Sequence, residues 1–202
     1  MSRAISGSYH CDLAVIDGSV EASVAIEVVD GRFTSIVVGT AADPGATHLA
    51  GLSTPGLANT HSHAFHRALR SRTQAEGGTF WTWREVMYRA AARLDPDGYH
   101  RLARATFAEM ALAGITCVGE FHYLHHAAEG GQYADPQAMD EALVTAAADA
   151  GLRLTLLDTC YLQGGIGTSL STVQQRFADA DGDAWAIRAD AVHRRFSGPQ
   201  VK

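Results

Sequence analysis

The sequence predicts an α/β protein in which a β-rich segment, residues 1–55, precedes a series of parallel βα units, residues 56–202. Three apolar, strand-like segments alternate with helical patterns in the second part, and this alternation is typical of a parallel sheet whose strands are joined by helices. No G-x-G-x-x-G motif follows the first of these strands, which counts against a dinucleotide-binding sheet. We therefore expect the N-terminal, incomplete portion of a (β/α)8 barrel, since a whole barrel typically needs about 250 residues.

The β-rich segment contains short β-branched runs, including "SVAIEVVDG" and "RFTSIVVGT", which predict strands. Asp30-Gly31 lies between these two runs. Because an Asp-Gly pair between strands favours a tight turn, a hairpin is expected here.

The barrel segment shows its strands in "PGLANTHSHA", "ITCVGEFHYL" and "LRLTLLDTCYL". Asp95-Pro96 and Asp135-Pro136 each predict a helix that starts with an aspartate cap followed by proline in the first turn. A later helix is expected around "DAWAIRADAVHRRF", and a fourth strand is expected to begin near Gln200.

The composition argues against several classes of partner. The 202 residues have a formal net charge of −6, which gives no general attraction for nucleic acid or anionic membranes. No apolar run approaches the roughly 18 residues of a membrane span, and the N-terminus lacks the apolar core of a signal peptide. Three scattered cysteines without a CxxC pair suit a reducing compartment. We expect a soluble, cytoplasmic protein that acts on a small molecule, as a monomer or a homo-oligomer.

His61 and His63 are candidate metal ligands. Residues i and i+2 of a strand point to the same side, and these two lie at the carboxyl end of the first predicted barrel strand, where barrel active sites form. Neutral imidazoles at this spacing can share one divalent metal ion such as zinc. The alternative is two ordinary polar histidines at a strand end.

The second barrel strand adds Glu120 and His122, which share one side of the strand by the same alternation. His122 suits either direct chemistry or the orientation of a neighbouring side chain. His125 and His126 lie beyond this strand, and we expect them to be solvated.

Arg84 lies within the aromatic run "FWTWREVMY", where an arginine is expected to be partly buried and to need an anionic partner. Glu85 is a candidate partner. A structural role and a ligand-binding role for Arg84 are both open from the spacing.

Several motifs together resemble a known family. The chain is similar to the formimidoylglutamate deiminases of the amidohydrolase superfamily along nearly its whole length, in "ANTHSHAFHRALR", "FWTWREVMYRAAARL", "EMALAGITCVGEFHYLHH", "YADP" and "GLRLTLLDTCYLQGG". The HxH pair alone indicates only a metal-dependent hydrolase, whereas WTWRE together with EFHYLHH is much more specific. The resemblance implies a (β/α)8 barrel, and it makes the β-rich segment part of a small β-sandwich.

The resemblance also implies roles for individual residues. His61 and His63 would be the first two zinc ligands, and His66, Arg84 and Tyr123 would hold the substrate. An arginine and a tyrosine suit the carboxylates of a glutamate-like substrate. If His122 faces the barrel interior, Tyr123 reaches the pocket only where the strand ends or bulges.

The implied reaction is hydrolysis of N-formimino-L-glutamate to N-formyl-L-glutamate and ammonia in histidine degradation, with zinc activating the attacking water. The family takes a third histidine ligand, a catalytic histidine and an aspartate from later strands, which would lie beyond Lys202. We therefore assign no catalytic residue here and expect these 202 residues alone to be inactive. A deaminase acting on a nucleobase-like ring and a non-catalytic truncated product are the alternatives.

Overall fold

A computed structural model describes residues 6–73 and 78–202 of the chain. The chain divides into two compact units, whose boundary in the sequence lies between Gly56 and Leu57. Every helix within the described residues is too short or too polar to cross a lipid bilayer.

The first unit is a four-stranded sheet with the strand order β3-β2-β1-β4. β1 and β2 pair antiparallel, as do β2 and β3, whereas β4 runs parallel to β1. Asp30 and Gly31 connect β2 to β3 with φ angles of 49° and 72°, and two positive φ angles are typical of a type I′ hairpin turn. The predicted hairpin is confirmed. The strands are β1 Gly7–Ile16, β2 Ser19–Val29, β3 Arg32–Val37 and β4 Thr47–Ser53.

The second unit consists of parallel βα units, as predicted. Its sheet has the order β5-β6-β7 and all of its strands run parallel. The elements are β5 Leu57–Ser62, α1 Phe80–Ala91, α2 Pro96–Leu112, β6 Ile115–His122, α3 Ala138–Ala150, β7 Arg153–Asp158 and α4 Gly182–Phe196. Short 3₁₀ helices span Ala64–Leu69, Ala128–Gly130 and Thr172–Phe177.

A fourth strand begins to pair with β7 near Gln200, which confirms that prediction. The Leu154 N–H donates to the Gln200 carbonyl at 2.8 Å, and the Lys202 N–H donates back to the Leu154 carbonyl at 2.9 Å. The pairing is parallel, so the sheet extends in the order and direction expected of a barrel.

The two predicted helix starts have different outcomes. Asp95 caps α2, where its carboxylate accepts from the Gly98 N–H at 2.7 Å, and the following proline opens the helix. The expected cap at Asp135 is wrong because α3 begins after Gln137. The Asp135 carboxylate instead accepts from the Gln137 N–H at 2.9 Å and pairs with Arg195, so it stabilises a turn before the helix.

The core of the second unit lies where α2 and α3 pack on the sheet and on each other. Alternate residues of β6, namely Val118, Glu120 and His122, are buried on this helix-covered face. Phe121, between them, points to the other face of the sheet. The largest apolar side chains buried in this core are Tyr99, Phe65, Phe107, Phe177, Leu124, Met139, Leu143 and Leu154.

Replacement of Phe107 by alanine is expected to lower the free energy of unfolding by about 3–5 kcal/mol, because it deletes a ring from the packed core. Leu112→Ala, in the same helix, is the matched control, since Leu112 is 90% exposed and surface changes usually alter stability by about 0.5 kcal/mol or less. Urea unfolding followed by circular dichroism measures both. Equal losses for the two variants would contradict this packing.

Candidate metal centre

His61 and His63 meet at the carboxyl end of β5. Their Nε2 atoms lie 3.0 Å apart, and the two rings are inclined at 77°. A zinc ion binds imidazole nitrogens at about 2.0–2.1 Å, so one ion can contact both nitrogens at this separation. The strand alternation predicted from the spacing therefore places both imidazoles on one side of the strand.

The hydrogen bond at the other ring nitrogen fixes the tautomer of His63. His63 Nδ1 lies 3.2 Å from the Phe121 carbonyl oxygen, and a carbonyl can only accept, so Nδ1 carries the proton. The lone pair of the neutral ring is then on Nε2, which faces His61. Burial, and next the neighbouring His61, lowers the pKa of His63, which favours this neutral form at pH 7. A carbonyl partner on the non-ligating nitrogen is typical of metal-binding histidines.

His66 joins the pair because a 3₁₀ helix follows His63 directly. Its ring stacks on that of His63 with 4.4 Å between centroids, and its Nε2 shares a hydrogen bond of 2.7 Å with the Tyr123 hydroxyl. Burial lowers the pKa of His66 to about 3, so this ring is uncharged at neutral pH. Burial also raises the pKa of Tyr123, so its hydroxyl keeps its proton.

Tyr123 reaches this side of the sheet without a bulge. The condition for such a bulge, His122 facing the interior, is not met, since His122 lies on the helix-covered face, fully buried and 3.3 Å from Asp140 of α3. Alternation then places Phe121 and Tyr123 on the same side as His63. The centroid of the His63 ring lies 5.1 Å from that of Phe121 and 5.6 Å from that of Tyr123.

Arg84 lies on α1, beside this cluster. The ring of the neighbouring Trp83 lies edge-on to the His66 ring, with 5.2 Å between their centroids. The expected pairing with Glu85 is not found: within the described residues, no carboxylate lies at ion-pair distance from Arg84, and its guanidinium instead lies over the rings of Trp81, at 4.7 Å, and Tyr88, at 5.5 Å. Aromatic faces stabilise the cation but do not neutralise it, so its charge is available to an anionic ligand.

A cleft of about 340 Å³ opens beside His66. This volume suits a small-molecule ligand. Its lining residues are His66, Leu69, Arg70, Ser71, Thr73 and Trp83.

His122, His125 and Asp140 form a second group of potential ligands, buried on the helix-covered face with one donor atom of each within 4.8 Å of the others. Both ring nitrogens of His125 are engaged, however. Nε2 lies 3.0 Å from the Thr159 carbonyl, and Nδ1 lies 3.1 Å from a guanidinium nitrogen of Arg188. With Nε2 donating and Nδ1 accepting, His125 has no free lone pair for a metal.

The solvation expected for His125 is therefore wrong, and its partner Arg188 was not anticipated. Arg188 forms ion pairs with Asp158, at 2.6 Å, and Asp179, at 2.9 Å. Because its cation lies against His125, a metal ion there would be repelled. The arrangement at His61 and His63 is the better candidate for a metal centre.

Parallel βα units with facing imidazoles at the carboxyl end of a strand are the arrangement of metal-binding barrel proteins. The chain belongs to the amidohydrolase family, whose model matches residues 52–194. It is 44% identical over 135 residues to a formimidoylglutamate deiminase from Pseudomonas aeruginosa, an alignment that covers 65% of this chain and 30% of that protein. It is also 31% identical over 70 residues to an 8-oxoguanine deaminase from the same organism, covering 35% of this chain and 16% of that protein.

Solved structures show the same fold. An amidohydrolase from Brucella melitensis superimposes with a TM-score of 0.86 at 32% identity, over 96% of this chain and 45% of that one. A mutant atrazine chlorohydrolase from Arthrobacter aurescens, complexed with zinc and atraton, superimposes with a TM-score of 0.74 at 22% identity, over the same shares of the two chains. The chain thus spans less than half the length of these relatives.

In the metal-free chain, His66 is expected to stay uncharged between about pH 5 and about pH 8, a range in which an unperturbed imidazole titrates. The unfolded chain binds this proton near the usual pKa of 6.5, whereas the folded chain binds it only near a pKa of about 3. The free energy of unfolding should therefore fall as the pH falls through this interval, with His66 contributing at most about 1.4 kcal/mol per pH unit.

Two measurements check this. The His66 resonances should not move in an NMR titration over that range. His66→Gln should flatten the pH dependence of the free energy of unfolding measured with urea. The difference in this free energy between parent and variant at about pH 8 is the baseline, because His66 is then neutral in both the folded and the unfolded chain. A His66 resonance that titrates near the ordinary value would contradict the buried hydrogen bond to Tyr123.

Proposed function

We propose that the chain is part of a metal-dependent hydrolase that deiminates N-formimino-L-glutamate to N-formyl-L-glutamate and ammonia in histidine degradation, in the cytoplasm. The observation that supports a metal enzyme most directly is the 3.0 Å separation of the facing Nε2 atoms of His61 and His63. The similarity to a formimidoylglutamate deiminase supports the reaction and the substrate.

The residues fit a single divalent ion, and we propose zinc. His61 and His63 offer neutral nitrogen donors, and the Phe121 carbonyl holds His63 in the ligating tautomer. A bound zinc ion would supply a water of lowered pKa, near about 7, as the nucleophile. Among the described residues, no third histidine, cysteine or carboxylate joins the pair, so the proposal requires further ligands and an acid–base group beyond these.

His66, Tyr123 and Arg84 are the proposed substrate-binding residues. The Tyr123 hydroxyl and the His66 ring form one hydrogen-bonded unit against His63, where they can hold the polar end of a substrate near the metal. The guanidinium of Arg84 is not paired with a carboxylate of the described residues, and a charge-assisted hydrogen bond to a substrate carboxylate would satisfy it.

A deaminase acting on a nucleobase-like ring is the second candidate. The short alignment with an 8-oxoguanine deaminase favours it, and so does the aromatic wall that Phe121, Tyr123 and Trp83 form around His63 and His66, since flat rings stack on such surfaces. Arg84, which has no carboxylate partner among the described residues, favours the acidic substrate instead.

Arg84→Gln is expected to lower kcat/KM for N-formimino-L-glutamate by about 10- to 100-fold, because a hydrogen bond between charged groups is lost. The assay measures ammonia release by the protein expressed from its complete coding sequence. Arg89→Gln, on the same helix, is the matched control and should leave the value unchanged. If Arg84→Gln has no effect, or if 8-oxoguanine is the better substrate, the proposed specificity is wrong.

Zinc titrated into the 202-residue chain should bind weakly, because two histidines are fewer ligands than a structural or catalytic zinc site normally has. We expect the His61 and His63 resonances to shift together in NMR spectra and His63→Ala to abolish the response. His193→Ala, in the exposed part of α4, serves as the control and should change nothing. Tight, stoichiometric binding by the chain would show that it holds more ligands than we assign.

A further inference from the structure

Glu120 is a carboxyl group with no exposed surface, on the face of β6 opposite to the histidine pair. One of its oxygens, Oε1, accepts a hydrogen bond of 2.6 Å from the Ala64 N–H. Ala64 directly follows His63, so this bond fixes the backbone on the carboxyl side of the metal ligand.

Glu120 also holds the residue on the other side of His63. Ser62 lies opposite Glu120 in the parallel pairing of β5 with β6, and its side chain is near enough to the carboxyl group to favour the charged form and lower its pKa. Ser62 is itself the residue between His61 and His63. A single carboxyl group thus contacts both neighbours of His63 in the sequence.

The backbone pairing alone does not define the end of β5. The register of β5 against β6 shifts between Asn59 and Ser62, so the regular ladder is interrupted just before the histidines. At Gly119, an added Cβ would lie 3.0 Å from the Thr60 carbonyl oxygen, so glycine allows the close approach of the two strands there. The side chain of Glu120 supplies the contacts that the interrupted ladder lacks.

Stability does not explain this group well. Burial of a carboxyl group is costly unless its oxygens are hydrogen-bonded, and burial is the largest influence on Glu120, raising its pKa. Oε2 has no hydrogen-bond partner among the described residues. An apolar side chain would avoid this cost but would release Ser62 and Ala64.

We propose that Glu120 is a positioning residue for the metal centre: by binding Ser62 and Ala64, it sets the direction of the His63 ring and keeps the two Nε2 atoms facing each other. The metal-binding role of that pair rests on the function proposed above. Glu120 contacts neither the metal position nor the substrate in this role.

The test compares four variants of the chain: Glu120→Met, which removes the contacts with both Ser62 and Ala64; Glu120→Gln, which keeps an acceptor oxygen; Ser62→Ala, which removes the Ser62 contact from the other side; and Asp140→Asn as control. Asp140 is also a buried acid on the helix-covered face, but it is not bonded to residues 61–64. Zinc affinity is measured by competition with a chromogenic chelator. In the metal-free state, NMR measures the contact between the two imidazoles and the hydrogen exchange of the Ala64 amide.

Glu120→Met should weaken zinc binding by about 10- to 100-fold, the usual effect of losing a group that orients a ligand. It should also separate the His61 and His63 rings and speed exchange at Ala64, whereas Glu120→Gln restores most of the affinity and Asp140→Asn keeps the parent values. If Glu120→Met does not fold, Ser62→Ala should still weaken binding several-fold.

Parent-like ring contacts and affinity in a folded Glu120→Met variant, or in Ser62→Ala where Glu120→Met fails to fold, would overturn the proposal. So would equal effects of Glu120→Met and Asp140→Asn, because that result indicates general destabilisation. If the parent chain binds no zinc while the metal-free measurements respond as expected, the metal assignment fails and the positioning role of Glu120 stands.

Discussion

The second unit depends on the way in which β5 and β6 end side by side. Parallel strands bring their carboxyl ends to the same edge of a sheet, and here the Phe121 carbonyl of β6 accepts a hydrogen bond from Nδ1 of His63, which directly follows β5. That hydrogen bond adds to the backbone pairing of the two strands, selects the tautomer of His63 and leaves its free nitrogen facing His61. Without the parallel pairing, the HxH spacing would give two histidines on one side of a strand but no defined orientation.

Alternation along β6 separates two chemical environments only one residue apart. Phe121 and the following Tyr123 line the side of the histidine pair, while Glu120 and His122 are buried beneath α2 and α3. On the buried side, Glu120 of β6 accepts a hydrogen bond from the Ala64 N–H, and His122 lies 3.3 Å from Asp140 of α3. The other side carries the facing Nε2 atoms of His61 and His63 and the bonded pair of His66 and Tyr123, and His66 also lines the neighbouring cleft.

Sequence reasoning predicted most of the fold because the signals were local. The hairpin at Asp30-Gly31, the cap at Asp95, the strand bearing His61 and His63, and the pairing at Gln200 each follow from a few neighbouring residues. The errors arose where a partner lies far along the chain. His125 is buried and bonded to Arg188, 63 residues later. The Asp135 carboxylate pairs with Arg195, 60 residues later, and also accepts from the Gln137 N–H in the turn before α3.

The candidate site shows the same limit. The histidine pair followed from its spacing, but the contact of His66 with Tyr123 joins residues 57 positions apart, and only the resemblance to a known family connected them. The side on which His122 lies could not be deduced because alternation fixes relative sides, not which side the helices cover. Glu120 gave no signal of its two contacts, since both depend on the register between strands.

The position of the Arg84 guanidinium over two aromatic rings determines the distance over which its charge can act. The chain as a whole carries a net charge of −6, so its distant field would repel a dicarboxylate. A cation held over Trp81 and Tyr88 acts only at short range, within roughly the 8 Å over which physiological salt screens charges. Binding of an acid at Arg84, as proposed above, would therefore be local capture after diffusional encounter, and added salt would weaken both the distant repulsion and the local attraction.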